Sequence, residues 1–250
     1  MAERSTSQTE AIKSFLDNLT KTTDILSTRL DTPDGFSIDV RSTQAFRDSF
    51  CELHQNLPLT FMMSGTSESG KSHFGTTLVK EGVATRFKIL RLTRELFTGA
   101  VDNPAKFLEN LPPAERDEIG KKIVSGVCSK LVQFDTPIAT IETISYPWLV
   151  QAFKEYQGIR ALSIFIDAPL AMRTRRESKK RGLDQVEIAQ SISLKDANKM
   201  SSGLEEIREI TDIIVANAGS IQTYTDFVRN LGNLALIYTP KFSGTPFEFK

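Results

Sequence analysis

The stretch "LPLTFMMSGTSESGKSHF", Leu57 to Phe74, decides how the rest of the chain is read. An apolar run stops abruptly at small polar residues. Gly65, Gly70, Lys71 and Ser72 then fall in the spacing G-x-x-x-x-G-K-S, the P-loop or Walker A pattern. Glycines let the backbone wrap closely round a phosphate, because no side chain obstructs it. The loop N–H groups then point inward as a nest, and the helix that follows adds its positive dipole end. In this reading Gly65, Thr66, Ser67, Glu68, Ser69 and Gly70 cradle the phosphates of ATP. Lys71 reaches the β- and γ-phosphates, and the Ser72 hydroxyl holds Mg²⁺. An accidental match is disfavoured by the flanks: an apolar strand precedes the loop and a helix-compatible segment follows it, as the mechanism requires. Glu68 must point away from the phosphates, since an acid facing them would repel them. His73, in the first turn of the helix, counts among the nucleotide-binding residues, as a helix-surface residue and not as a base.

Outward from the loop, strand-like and helix-like segments alternate. "RFKILRLT" reads as a second strand, "PIATIETI" as a third, "IRALSIFIDA" as a fourth and "TDIIVAN" as a fifth, with helical stretches between them. This is an α/β fold, a P-loop NTPase-type three-layer sandwich with a five-stranded parallel sheet. Residues 57–250 form the main domain. Residues 1–56 read as a partly helical N-terminal extension. There Ile12, Phe15, Leu16, Leu19, Ile25 and Leu26 recur at helical spacing, and "DTPDGFSIDV" reads as a turn and short strand.

The chain has 250 residues, 40% hydrophobic and 25% charged, with 31 basic and 31 acidic side chains. Zero formal net charge argues against a nucleic-acid-coating protein. Cys51 and Cys128 are too few and too far apart for a disulfide framework or zinc site. No apolar run reaches the length of a membrane span, and the N-terminus lacks the apolar core of a signal peptide. A cytoplasmic location and no membrane partner are the expectations.

After the fourth strand comes "FIDAPLAMRTRRESKKRGLD", in which Arg173, Arg176 and Lys180 share one helix face. A solvated basic face is one meaning of such a run. The other is a lid over 170–200, whose guanidinium groups neutralise the charge that spreads over a transferring phosphoryl group. Glu142 is the only acid in the third strand, placed where an acid grips a metal-bound water in P-loop folds. A solvent-facing glutamate is the alternative reading.

P-loop, "DAP", the arginines and "TDIIVANAGS" together resemble the nucleoside monophosphate kinase group of P-loop kinases, most nearly the dephospho-coenzyme A kinases and related small nucleotide kinases. The resemblance covers Leu57 to Arg229. It implies phosphate-contacting, catalytic roles for Lys71, Arg173 and Arg176, with Arg181 as a further candidate. It also implies that Asn217, Ala218 and Gly219 lie beside adenine, with Mg²⁺ at Ser72 and Glu142. The acid usual after the second strand is absent; Arg91, Arg94 and Glu95 stand there instead. Arg94 is therefore a candidate ligand for an acceptor phosphate, or an ordinary surface arginine. The insert 94–134 would form the acceptor site.

Two functions remain open at this point. One is ATP-dependent phosphoryl transfer to a nucleotide or nucleotide-like small molecule. The other is a non-catalytic or weakly hydrolytic ATP-binding module that reports nucleotide state to a protein partner of the N-terminal extension. A GTPase fits poorly, for want of a guanine-reading "NKxD" stretch.

Overall fold

The computed structural model describes residues 2–21, 28–51, 56–98, 101–239, 244 and 248–249. Ile25 and Leu26 of the first helical pattern lie outside these residues, as does most of the C-terminal stretch. The chain opens with helix α1 (Ala2–Lys21), a hairpin of β1 (Arg29–Asp31) and β2 (Phe36–Val40), and α2 (Thr43–Ser49). Then come β3 (Leu59–Gly65), α3 (Lys71–Lys80), β4 (Thr85–Lys88), α4 (Ile89–Leu96), α5 (Pro104–Glu109) and α6 (Pro113–Gln133). The second half holds β5 (Ile138–Glu142), α7 (Pro147–Glu155), β6 (Arg160–Asp167), α8 (Leu170–Arg181) and α9 (Gln185–Ser201). It closes with α10 (Leu204–Ile210), β7 (Ile213–Asn217), α11 (Ile221–Ile237) and β8 (Glu248–Phe249).

The strands form one sheet in the order β1-β2-β7-β6-β3-β5-β4-β8. The five strands expected from the sequence, β3, β4, β5, β6 and β7, are its parallel centre. The sheet is nevertheless wider than five. On one side β2 runs antiparallel to β7, with Ile38 opposite Val215, and β1 pairs with β2. On the other, β8 adds a short parallel strand beside β4. The extra width comes from segments whose strands are too short, at two to five residues, to announce a sheet position by pattern.

Every residue of β3 is buried, as a central parallel strand covered on both faces requires. Phe61 and Met63 point into one core, with Phe74 and Leu78 of α3 and Phe227 and Leu231 of α11. Met62 points into the other, with Val124 and Val127 of α6 and Leu149 and Phe153 of α7. The result is a three-layer sandwich. Ile12, Leu16 and Leu19 of α1 belong to the first core, each nearly inaccessible. Burial of that size stabilises by roughly 1.5–3 kcal/mol per side chain. Residues ahead of the loop strand thus share their core with the main sheet.

The second strand is shorter than its pattern. β4 ends at Lys88 and the chain turns helical at Ile89, so Arg91 and Arg94 sit on α4. Ile89, Leu92 and Thr93 are its buried positions, a helical spacing inside a run that also reads as a strand. Pro104 and Pro113 open α5 and α6, where a missing N–H costs nothing. Among the described residues no helix is long and apolar enough to cross a membrane.

Candidate nucleotide and acceptor site

The loop Gly65–Ser72 leaves the carboxyl end of β3 and enters α3. Gly65 has φ 126°, and a Cβ there would stand 2.0 Å from the Ile166 carbonyl oxygen of the neighbouring strand. Gly70 has φ 118°, and its Cβ would stand 2.6 Å from Asn217 Nδ2. Only glycine fits either position. Gly70 caps α3 without a side-chain hydrogen bond, so the first-turn N–H groups are not claimed by a capping side chain. That is the donor set an anion takes at a helix N-terminus.

The loop is braced from behind. Asn217 Nδ2 donates to Ser69 O at 2.8 Å, Tyr224 Oη donates to Gly70 O at 3.1 Å, and Thr66 Oγ1 donates to Asp167 Oδ1 at 2.9 Å. Lys71 is buried. Its Nζ donates to the carbonyls of Gly65, at 3.0 Å, and of Thr66, and to Ser69 Oγ at 3.2 Å. Burial, and then the neighbouring Lys199 ammonium, push Lys71 well below the usual lysine range. An anion in the loop would relieve that cost.

Glu142 points inward, with only 2% of its side chain exposed. Arg86 of β4 grips both its oxygens, Nε to Oε1 at 2.5 Å and Nη2 to Oε2 at 2.7 Å. Ser72 Oγ donates to Oε2 at 3.2 Å. Gly75 makes room, since a Cβ there would stand 2.5 Å from Oε1. The hydroxyl and carboxylate expected at a metal are therefore in contact. One hydroxyl and one carboxylate suit magnesium, which keeps waters and phosphate oxygens as its other ligands.

Arg173 is buried at the start of α8. It donates to Ala168 O at 2.8 Å, to Ser67 O at 2.9 Å and to Asp196 Oδ2 of α9 at 2.6 Å. Arg176 lies elsewhere: its Nη atoms donate to Asn217 O at 3.1 Å and Gly219 O at 3.0 Å, beside the stretch expected at adenine. Burial lowers its pKa from the ordinary arginine value. Arg181 pairs with Glu177 within α8 and is half-exposed. Glu68, at φ 58°, turns outward to Lys195 Nζ at 3.2 Å. His73 Nε2 lies 2.9 Å from Thr225 Oγ1, between α3 and α11, and burial lowers its pKa.

Arg94 lines a cavity of about 770 Å³. It is lined by Ser72, Glu142 and Thr143 together with Lys88, Ile89, Leu90, Arg91 and Arg94. The cavity thus joins the loop's hydroxyl to a group of three cationic side chains. Trp148 lines a different cavity with Tyr146 and Arg116.

Sequence reasoning missed Arg86, Asp167, Asp196 and Lys199. Arg86 carried a signal, a lone arginine within a buried strand, for which a buried acid is the natural partner. Asp196 and Lys199 carried a fainter one, a charged pair three positions apart on a single helix face.

No family profile matches the chain. A protein of Archaeoglobus fulgidus described as "UPF0200/UPF0201 protein" is 26% identical over 179 residues, 70% of this chain and 53% of that protein. The chain spans about half the length of that curated relative. The solved structure of TT1252 from Thermus thermophilus is similar over 74% of this chain and 100% of its own, at 21% identity and TM-score 0.45. A shikimate kinase from Acinetobacter baumannii, solved with shikimate, is similar over 76% and 99%, at 16% identity and TM-score 0.41.

Proposed function

We propose that the protein transfers the terminal phosphoryl group of ATP to a small anionic acceptor, a nucleotide or nucleotide-like molecule. One observation carries this reading. The cavity that begins at Ser72 and Glu142 continues to Lys88, Arg91 and Arg94, so a second, anionic ligand has a place beside the phosphate loop. A module that only binds ATP needs no such place.

In this reading the loop amides from Gly65 to Gly70 and the uncapped turn of α3 hold the phosphate chain, and Lys71 swings from its carbonyl partners onto it. Arg173 reaches the transferring group from α8, and residues 170–200 form the lid. Arg176 orders the Asn217–Gly219 segment, where the base sits. Magnesium, when bound, neutralises phosphate charge; Ser72 and Glu142 would hold it. Arg86 fixes the Glu142 carboxylate in one rotamer. Arg94, with Lys88 and Arg91, grips the acceptor's anionic group, and the insert 94–134 walls its site. The rate gain comes from alignment and charge neutralisation.

The module reading has one observation in its favour. Asp34, in the turn of the β1–β2 hairpin, accepts the Ser220 N–H at 2.8 Å and the Thr223 hydroxyl at 2.6 Å, next to the segment expected at adenine. A change there would be felt in the N-terminal elements, where a protein partner could read it.

Equilibrium titration separates the two. With Mg·ATP analogue saturating the loop, a kinase binds a nucleoside monophosphate or dephospho-coenzyme A as a second ligand, and Arg94→Glu weakens that ligand about tenfold or more without loosening the analogue. Absence of any second ligand across the panel would sink the transfer reading and leave the module.

A further inference from the structure

Asp196 holds an odd position for a carboxylate. It projects from α9 onto the phosphate loop, where Oδ1 accepts the Ser67 N–H at 2.7 Å and Oδ2 accepts Arg173 Nη1 at 2.6 Å. A loop N–H and a guanidinium from the adjoining helix are the donors that an oxygen of a phosphate seeks. The surrounding charges complete the likeness. Lys199, one turn further along α9, reaches Gly65 O at 3.3 Å, and Lys71 is folded back on the same carbonyl. Burial lowers both lysines from their ordinary range, and Lys199 in turn depresses Lys71. A guanidinium thus grips the carboxylate directly and two ammonium groups gather on the adjoining Gly65 carbonyl, while the loop's own acid, Glu68, is drawn outward by Lys195.

The geometry points to Asp196 as a built-in stand-in for a nucleotide phosphate: α9 closes the loop with its own carboxylate and must withdraw it before a phosphate can enter. This rests on the nucleotide-binding reading of the loop. A phosphate and the carboxylate cannot share Ser67 N–H and Arg173, and two anions at that range in a partly buried site repel strongly. The helix is mounted for withdrawal. Its buried side chains are Ile188 and Ile192, so little apolar surface holds it down. It is bracketed by Gly182 at φ 67° and Gly203 at φ 99°, positions that can absorb a backbone change. When Asp196 leaves, Arg173 and Lys199 are released to the incoming phosphate. The measured affinity for nucleotide is then the intrinsic affinity scaled by the fraction of molecules with α9 open.

Calorimetric titration of the full chain with Mg·ATP tests this, comparing the wild type with Asp196→Asn and Asp196→Ala. Asn keeps the shape and one acceptor oxygen but removes the charge, which guards against a folding artefact. Amide hydrogen exchange without nucleotide is run on all three. Both variants should bind Mg·ATP roughly tenfold or more tightly than wild type. Ser67 and the α9 amides should exchange faster in the variants. Binding by the variants alone, with wild type silent, would be the same result in stronger form. Affinities within about twofold of wild type, or weaker ones, overturn the latch and leave the nucleotide site standing. No binding by any of the three overturns both.

Discussion

Two arginine–carboxylate pairs flank the phosphate loop, one buried and one partly buried, and they are built differently. Arg86–Glu142 joins neighbouring strands β4 and β5, whose backbones are hydrogen-bonded in register, with Lys88 opposite Glu142. Arg173–Asp196 joins two helices, and its carboxylate also borrows an N–H from the loop. The first pair touches the loop once, Glu142 accepting from Ser72 Oγ; the second touches it twice, Asp196 accepting the Ser67 N–H and Arg173 donating to the Ser67 carbonyl. The first pair cannot separate without parting the sheet. The second can separate by moving one helix. A fixed pair suits the setting of a hydroxyl that must stay in place; a separable pair suits a group that has to give way to ligand.

The contrast should be plain in stability. Arg86→Met leaves Glu142 buried without its partner and should lower the unfolding free energy by about 3–5 kcal/mol, read by urea titration. The double variant Arg86→Met with Glu142→Leu should recover most of that loss, because the penalty lies in the abandoned charge. Full recovery without Glu142 would sharpen the comparison; a small loss in the single variant would break it.

Gly65→Ala probes the loop between the pairs. Its Cβ must enter the Ile166 carbonyl at a left-handed φ, so about 2–3 kcal/mol of stability should go, together with nucleotide binding. Arg173→Met should cost less, about 1–2 kcal/mol, since helices α8 and α9 can part and let water reach Asp196. A loss equal to that of Arg86→Met would make the two pairs alike and refute the distinction.

The smallest effect concerns the hairpin. Burial acts to raise the Asp34 pKa, but hydrogen bonds from Thr223, Thr32 and the amides of Ser220 and Phe36 outweigh it and hold the carboxyl below the usual range. The sign follows: its stabilisation is present above about pH 4, the unfolded value, and is lost as pH falls toward the lower folded value. Asp34→Asn should cost about 1 kcal/mol at neutral pH and flatten the acid limb of the stability curve. An unchanged acid limb would remove Asp34 from the account.

The same contrast explains what the sequence discloses. The loop is local: eight consecutive residues carry their own conformational demands, so G-x-x-x-x-G-K-S is legible without a structure. Four of the five parallel strands are legible as apolar runs; β4 is only "TRFK", read as a strand through a run that continues into α4. Glu142 stands out as a lone acid in an apolar run. Arg86 signals only that it needs a buried acid; nothing in "TRFK" says that the acid is Glu142, 56 positions away. Asp196 meets Ser67 across 129 positions, and α9 is amphipathic enough to pass for an ordinary surface helix. Arg91 falls inside the run that reads as a strand because Ile89, Leu90 and Leu92 satisfy both periods; burial of Ile89, Leu92 and Thr93 decides for the helix.

The most direct test of the central claim is ATP consumption by the purified protein with Mg²⁺ across a panel of acceptors. The panel holds the common ribo- and deoxynucleoside monophosphates, dephospho-coenzyme A and a blank, with Lys71→Ala alongside. The account predicts that one acceptor raises turnover well above the blank and that Lys71→Ala abolishes the rise. ATP binding with no stimulation by any acceptor would contradict phosphoryl transfer and turn attention to the hairpin at Asp34 as the face a protein partner reads.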